Sequence, residues 1–224
     1  LGFAQPKTLT LYYPDNSTNV ISISDLDSMA IFICGVSKVS YGGKDYNTVL
    51  IGSQCWLKEN LDMGTMVMGS STQTNTGTIE KYCYNNLESN CTTYGGLYQW
   101  NEAMQYVTTE GTQGICPTGW HIPRQGEFQS LIAEVSGNSN ALKEVGQGTG
   151  GGTGTNTSGF SALLAGYRYS SGAFYALGSY AYFWSSSMYN ASTAYYLNLY
   201  YTNSNITLYH DYKVYGFSVR CIKD

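Results

Sequence analysis

The chain has 224 residues, a formal net charge of −4 and 12 % charged residues, against 22 tyrosines and 26 glycines. That length makes one large domain or two small ones. With no basic cluster the charge balance argues against nucleic acid as a partner, and no apolar run approaches the ~20 residues of a membrane-spanning helix.

The first residues, Leu1-Gly-Phe-Ala-Gln, read as the tail of a signal peptide with Ala4 at the cleavage point. Residues 7–33 read as a β unit of their own. In 7–13, Thr8, Thr10 and Tyr12 alternate with Leu9, Leu11 and Tyr13, the pattern of a strand. A turn cluster follows at 14–18, then a second strand at 19–24 and a third formed by 25–33. Leu9, Leu11 and Tyr13 are the candidate self-association residues: such a strand adds to a neighbouring copy or docks on its own domain.

Residues 46–51 and 54–57 read as paired strands around Gly52-Ser53. Residues 62–80 read as a loop. Helices are expected at 97–107, where Trp100, Ala103, Met104 and Val107 recur at helical spacing, and at 123–135, where Phe128, Leu131, Ile132 and Val135 share a face. A short third helix is expected at 140–145, and a glycine–threonine surface loop at 146–159. Beyond it strands are expected at 160–164, 181–186, 194–200, 206–211 and 216–222. In the strand at 194–200, Tyr196, Asn198 and Tyr200 share one face and Tyr195, Leu197 and Leu199 the other.

Six cysteines, an even number, fit an oxidising compartment and leave the connectivity open. Gly146-Gln-Gly-Thr-Gly-Gly151 matches G-x-G-x-x-G, but a dinucleotide site needs a strand before it and a helix after it. His121 is the only histidine in a motif, and no Gly-x-Ser-x-Gly stands elsewhere to pair with it. Acidic residues after Glu144 are sparse, which argues against a calcium site. The last sixty or so residues are crowded with tyrosine, a side chain with apolar area and a polar tip that suits sugar or protein contact.

The blocks Cys116-Pro-Thr-Gly-Trp-His-Ile-Pro123, Gly216-Phe-Ser-Val-Arg-Cys221, Gln54-Cys-Trp56, Tyr94-Gly-Gly-Leu-Tyr-Gln-Trp100 and Tyr182-Phe-Trp-Ser-Ser-Ser187 resemble the Fibrobacter succinogenes major paralogous domain. The resemblance covers about residues 34–224. It implies an α+β, C-type-lectin-like domain with two main helices and antiparallel strands, related to the formylglycine-generating enzyme fold. A short β extension at 1–33 precedes it. With sequence order, the resemblance implies the pairs Cys34–Cys55, Cys83–Cys91 and Cys116–Cys221. Those pairs leave no thiolate for the chemistry of the related enzymes. The domain of true C-type lectins carries Glu-Pro-Asn or Gln-Pro-Asp, and neither occurs here.

The expectation is therefore a non-catalytic, secreted cell-surface structural or adhesive protein with no cofactor and no metal. It joins other copies of itself through its N-terminal strands in a filament or layer. The alternative is a monomeric, calcium-independent module that binds surface glycans or proteins.

Overall fold

The computed structural model describes Thr8–Tyr12, Thr18–Ser22 and residues 32–224. Tyr13, residues 1–5 with the expected cleavage point at Ala4, and most of the expected third strand lie outside the described residues. The chain divides into two compact units, Leu1–Ile33 and Cys34–Asp224.

In the first unit, β1 (Thr8–Tyr12) and β2 (Thr18–Ser22) form a two-stranded antiparallel sheet. Leu9 stands opposite Ile21 and Leu11 opposite Asn19.

The second unit is α+β, with short helices and mainly antiparallel sheets. It opens with the hairpin β3 (Val39–Tyr41) and β4 (Lys44–Tyr46), followed by β5 (Thr48–Ile51) and β6 (Gln54–Leu57). Ile51 pairs with Gln54, so Gly52 and Ser53 make the tight turn read from the sequence. Two short parallel strands follow, β7 (Thr65–Met66) and β8 (Glu80–Lys81). Then come α1 (Glu88–Tyr94), α2 (Trp100–Ala103), β9 (Trp120–His121) and α3 (Gln125–Glu134). The rest is β: β10 (Ala165–Arg168), β11 (Phe174–Leu177), β12 (Tyr180–Met188), β13 (Thr193–Tyr200), β14 (Ile206–Tyr212) and β15 (Ile222–Lys223).

The end of the chain closes the unit. In the sheet ordered β5-β6-β15-β9, Ile222 pairs with Trp56 on one side and His121 on the other. The core lies between this sheet, α3 and the sheet β12-β13-β14. Phe128 and Leu131 of α3 pack with Trp56, Phe160, Phe183, Leu197 and Leu199. Trp56 stacks on Phe128 with centroids 5.8 Å apart and meets Phe160 edge-on at 5.6 Å. Each such side chain removed from water contributes roughly 1.5–3 kcal/mol.

Four expectations need correction. The helix expected at 97–107 shrinks to Trp100–Ala103. Leu97 and Tyr98 are drawn instead into bridges with Tyr82 and Phe217, and Gln105 and Tyr106 adopt left-handed backbone that ends the helix. A helix appears where none was expected, at Glu88–Tyr94, carrying Cys91 toward Cys83. The segment 160–164 is buried at alternate positions without forming a strand; only Ala162 makes a bridge, to Lys143. The segment 216–222 is a strand only at its end, because Gly216, Phe217 and Ser218 each bridge a different element.

The expected third helix is a 3-10 turn, Ser139–Ala141. The glycine-rich stretch packs against the fold: the Thr149 amide donates to the Tyr201 carbonyl at 2.8 Å and the Gly154 amide to Gln147 at 2.7 Å.

The cysteines pair as Cys34–Cys55, Cys83–Cys91 and Cys116–Cys221, with Cα separations of 5.9, 5.0 and 5.9 Å.

Candidate functional site

Successive side chains of a strand point to opposite faces. In the sheet β12-β13-β14 this splits apolar from phenolic residues. Ala181, Phe183, Leu197 and Leu199 point into the core. Tyr180, Tyr182 and Trp184 point the other way and register against Tyr200, Asn198 and Tyr196. Tyr209 lies opposite Tyr196, and Asp211 opposite Ala194, on the same face.

The result is a continuous tyrosine face. Tyr180 and Tyr200 stand 4.5 Å apart between ring centroids, Tyr180 and Tyr182 5.6 Å, and Tyr182 and Tyr196 5.5 Å. Phe217, buried, packs against it: it stacks on Tyr182 at 4.7 Å and meets Trp184 at a tilt at 4.2 Å. The Trp184 indole donates to the Tyr98 carbonyl at 2.8 Å, which locks its ring.

The hairpin β10–β11 extends the face. Its Tyr167 meets Tyr182 at 5.2 Å, and its neighbour Tyr169 meets Tyr215 at 4.9 Å. Tyr167, Tyr169 and Tyr175 line a cleft of about 220 Å³. Tyr175 is 48 % exposed and Tyr209 57 %, so the face is wet at its rim and dry at Phe217.

Burial pushes the Tyr182 and Tyr215 phenols well above their ordinary range and Tyr196 up to about 12, with Asp211 adding to the rise at Tyr196. These phenols are neutral hydrogen-bond donors at any physiological pH. Burial also raises the Asp211 carboxyl, partly offset by the Tyr212 amide that donates to it at 2.8 Å.

Four of the five buried lysines and arginines among the described residues, of which only Arg220 stood in a quoted sequence block, tie segments distant in sequence, and the bonds that follow all end on backbone carbonyls or uncharged side chains. Arg168 donates through Nε and Nη2 to the Gly69 carbonyl at 2.8 and 2.6 Å, and through Nη1 to Val214 at 3.0 Å. Lys143 donates to the Tyr200 and Asn203 carbonyls at 2.7 and 3.0 Å, and burial pulls its pKa down to about 8. Lys213 lies 4.2 Å from the Trp100 ring and donates to the Ala191 carbonyl. Arg220 donates to the Phe160 carbonyl at 2.5 Å and to Asn60 Oδ1 at 2.6 Å.

His121 sits elsewhere. Its Nδ1 is 2.6 Å from Asp224 Oδ1, and its Nε2 is 3.0 Å from both Glu127 oxygens. Burial lowers its pKa, but the two carboxylates outweigh this and the net shift is upward. The nearby Ser187 hydroxyl donates to Glu110 at 2.5 Å rather than to the imidazole. Glu102 of the Trp100-Asn-Glu stretch is buried and accepts from the Glu80 amide and the Tyr106 hydroxyl.

Of the residues named from sequence, Leu9 and Leu11 lie in β1 and the six cysteines in three bridges. The tyrosine face draws its rings from β10 through Phe217; the crowding of tyrosine in the last sixty residues and the alternation 195–200 both pointed to it, but not to which rings converge. Among the described residues no cluster of metal-binding side chains occurs, and no helix is long and apolar enough to cross a membrane.

No curated protein and no solved structure matches the chain. Residues 49–223 match the model of the Fibrobacter succinogenes major domain. That match takes in the bridge Cys116–Cys221, the closing strand β15 and every ring of the tyrosine face, and the chain belongs to this family.

Proposed function

We propose that the protein is a non-catalytic, secreted adhesive protein of the bacterial cell surface, and that it acts by contact through its tyrosine face. The observation that carries the reading is the face itself: a sheet surface of packed phenols, held against buried Phe217 and Trp184 and open at Tyr169, Tyr175 and Tyr209. Tyrosine gives large contact area at low conformational cost. Both imidazole nitrogens of His121 are engaged by carboxylates and every cysteine is in a bridge, which supports binding over catalysis. A C-type-lectin-like reading of Cys34–Asp224 rests on the way its last strand returns to pair with β6 near its start.

Sedimentation with whole bacterial cells tests this. The full chain is expected to co-sediment, and Tyr175→Lys with Tyr209→Lys to stay in the supernatant. Equal sedimentation of both would remove the face from the reading.

A second reading, assembly of copies through the N-terminal strands, is favoured by the β1–β2 sheet. A two-stranded sheet is marginal alone and gains from a third strand. A strand from another copy supplies one by edge addition. Electron microscopy of the native protein beside Leu9→Lys with Leu11→Lys decides it. Polymers lost in the variant support assembly, and discrete particles in both retire it.

A further inference from the structure

Within the tyrosine face, one place is built differently from the rest. In the β10–β11 hairpin, Tyr167 pairs with Tyr175 and Ala165 with Leu177, which sets Gly166 across from Ala176. Both take left-handed backbone, with φ of 66° and 65°. For glycine that is free; for alanine it costs roughly 1–2 kcal/mol. Strained residues of this kind persist where the surrounding structure holds them and gather at ligand clamps. This one immediately follows Tyr175, whose ring stands 5.9 Å from Tyr167 and 6.2 Å from Tyr169. The three rings line the open, shallow cleft of about 220 Å³.

We propose that this cleft is the subsite for one ring of a neutral glycan. The assignment rests on the tyrosine face being the contact surface. Its chemistry separates the ligand classes. The phenol faces offer apolar area to the C–H faces of a sugar, and their hydroxyls donate to its oxygens. The cation nearest in sequence, Arg168, is committed to the Gly69 and Val214 carbonyls, so it is not offered to an anion. The charge that stands on the tyrosine face is instead the Asp211 carboxylate, opposite Ala194 in the sheet. An uncharged, polyhydroxylated ligand suits that balance; a sulfated or uronic one opposes it. The larger hollow beside Gly52, Glu134 and Asn138, about 480 Å³, has no aromatic residue in its lining to stack a sugar on.

The test is titration of the full chain, followed by aromatic fluorescence, with cello-, xylo-, manno- and chito-tetraose, and with tetragalacturonate as the anionic probe. At least one neutral tetrasaccharide is expected to bind more tightly than tetragalacturonate. Tyr169→Ala and Tyr175→Ala should each weaken it tenfold or more. Tyr189→Ala, whose ring stacks on His210 rather than on a ring of the cleft, should leave binding within twofold. Circular dichroism and thermal melting confirm that each variant is folded. Preference for tetragalacturonate, or neutral binding indifferent to Tyr169 and Tyr175, overturns the proposal. If no neutral probe binds while Tyr175→Ala still lowers sedimentation with cells, the glycan assignment fails and the contact face stands. If neither changes, both fail.

Discussion

His121 and Asp224 tie the last residue of the chain to its central motif: Nδ1 and Oδ1 stand 2.6 Å apart. Glu127 grips the other imidazole nitrogen at 3.0 Å, and Arg124 closes the cluster by bonding Glu127 at 2.9 Å. The His121 pKa is raised above its ordinary 6.5 and that of Glu127 lowered below its ordinary 4.5. At each group burial opposes the shift and the hydrogen bonds outweigh it. A raised histidine contributes stability that is full below 6.5 and fades as pH rises through the higher folded value. A lowered glutamate contributes stability that is full above 4.5 and fades as pH falls through the lower folded value. The cluster is therefore strongest between these limits. Thermal melts should give a higher Tm at pH 5.5 than at pH 8.5, and His121→Gln should shrink that difference. An unchanged difference in the variant would assign the pH dependence to other groups.

The bridges differ in what they constrain. Cys116–Cys221 spans 105 residues of sequence and Cys83–Cys91 spans 8. In the loop-entropy account the longer closure is worth about 4–5 kcal/mol and the shorter about 2–3 kcal/mol. All four cysteines are fully buried, so the ordering rests on the loop closed and on the pairing of β15 with β9 that Cys221 adjoins. Replacing both cysteines of each bridge by serine should lower the urea midpoint far more for Cys116/Cys221 than for Cys83/Cys91. Equal midpoints would refute the ordering.

Where a local pattern and the tertiary contacts agreed, the sequence was enough to read them. The turn at Gly52-Ser53, the face of α3 carrying Phe128 and Leu131, and the alternation of Tyr196 with Leu197 are all local, and all appear. Residues 97–107 have helical spacing too, yet Leu97 and Tyr98 are taken by bridges to Tyr82 and Phe217. Periodicity cannot register a partner that lies more than a hundred residues away, as Phe217 does. The same limit hid the cleft of Tyr167, Tyr169 and Tyr175, since those rings converge only through a two-strand pairing around a strained alanine. Arg168, Lys143 and Arg220 look like solvated charges in the sequence; their burial follows from loops whose carbonyls need donors.

Arg220 illustrates the energetic cost of such a donor. It is fully buried and lies over Phe160 with its guanidinium carbon 4.4 Å from the ring centroid. Its Nη1 reaches the carbonyls of Leu57 and Phe160, at 3.2 and 2.5 Å, and its Nη2 reaches Asn60. Burial pulls its pKa down to about 9, and it stays protonated at neutral pH. Arg220→Met keeps much of the volume but strands three acceptors. Each buried acceptor without a donor costs about 1–3 kcal/mol. A loss of roughly 3 kcal/mol or more in chemical denaturation is expected. Arg220→Lys should recover only part of it, because an ammonium cannot span the same fork. Wild-type stability in Arg220→Met would show that these carbonyls find other partners.

The glycine-rich stretch provides a sharper test, because two neighbours differ. A Cβ added to Gly152 would overlap the Tyr201 carbonyl and crowd the Asn203 amide, both backbone atoms at the β13–β14 turn. A Cβ on Gly151 would meet only the Thr202 carbonyl at 3.5 Å, ordinary contact. The turn has little room to yield, since Lys143 holds the Tyr200 and Asn203 carbonyls from below. Overpacking of this kind costs roughly 1–3 kcal/mol. Gly152→Ala should therefore be destabilised by about that amount while Gly151→Ala stays within about 0.5 kcal/mol of the parent. Urea unfolding of the two variants measures it directly. Equal tolerance would mean that the segment floats free of Tyr201, and equal damage would point to the backbone of the stretch rather than to this one contact.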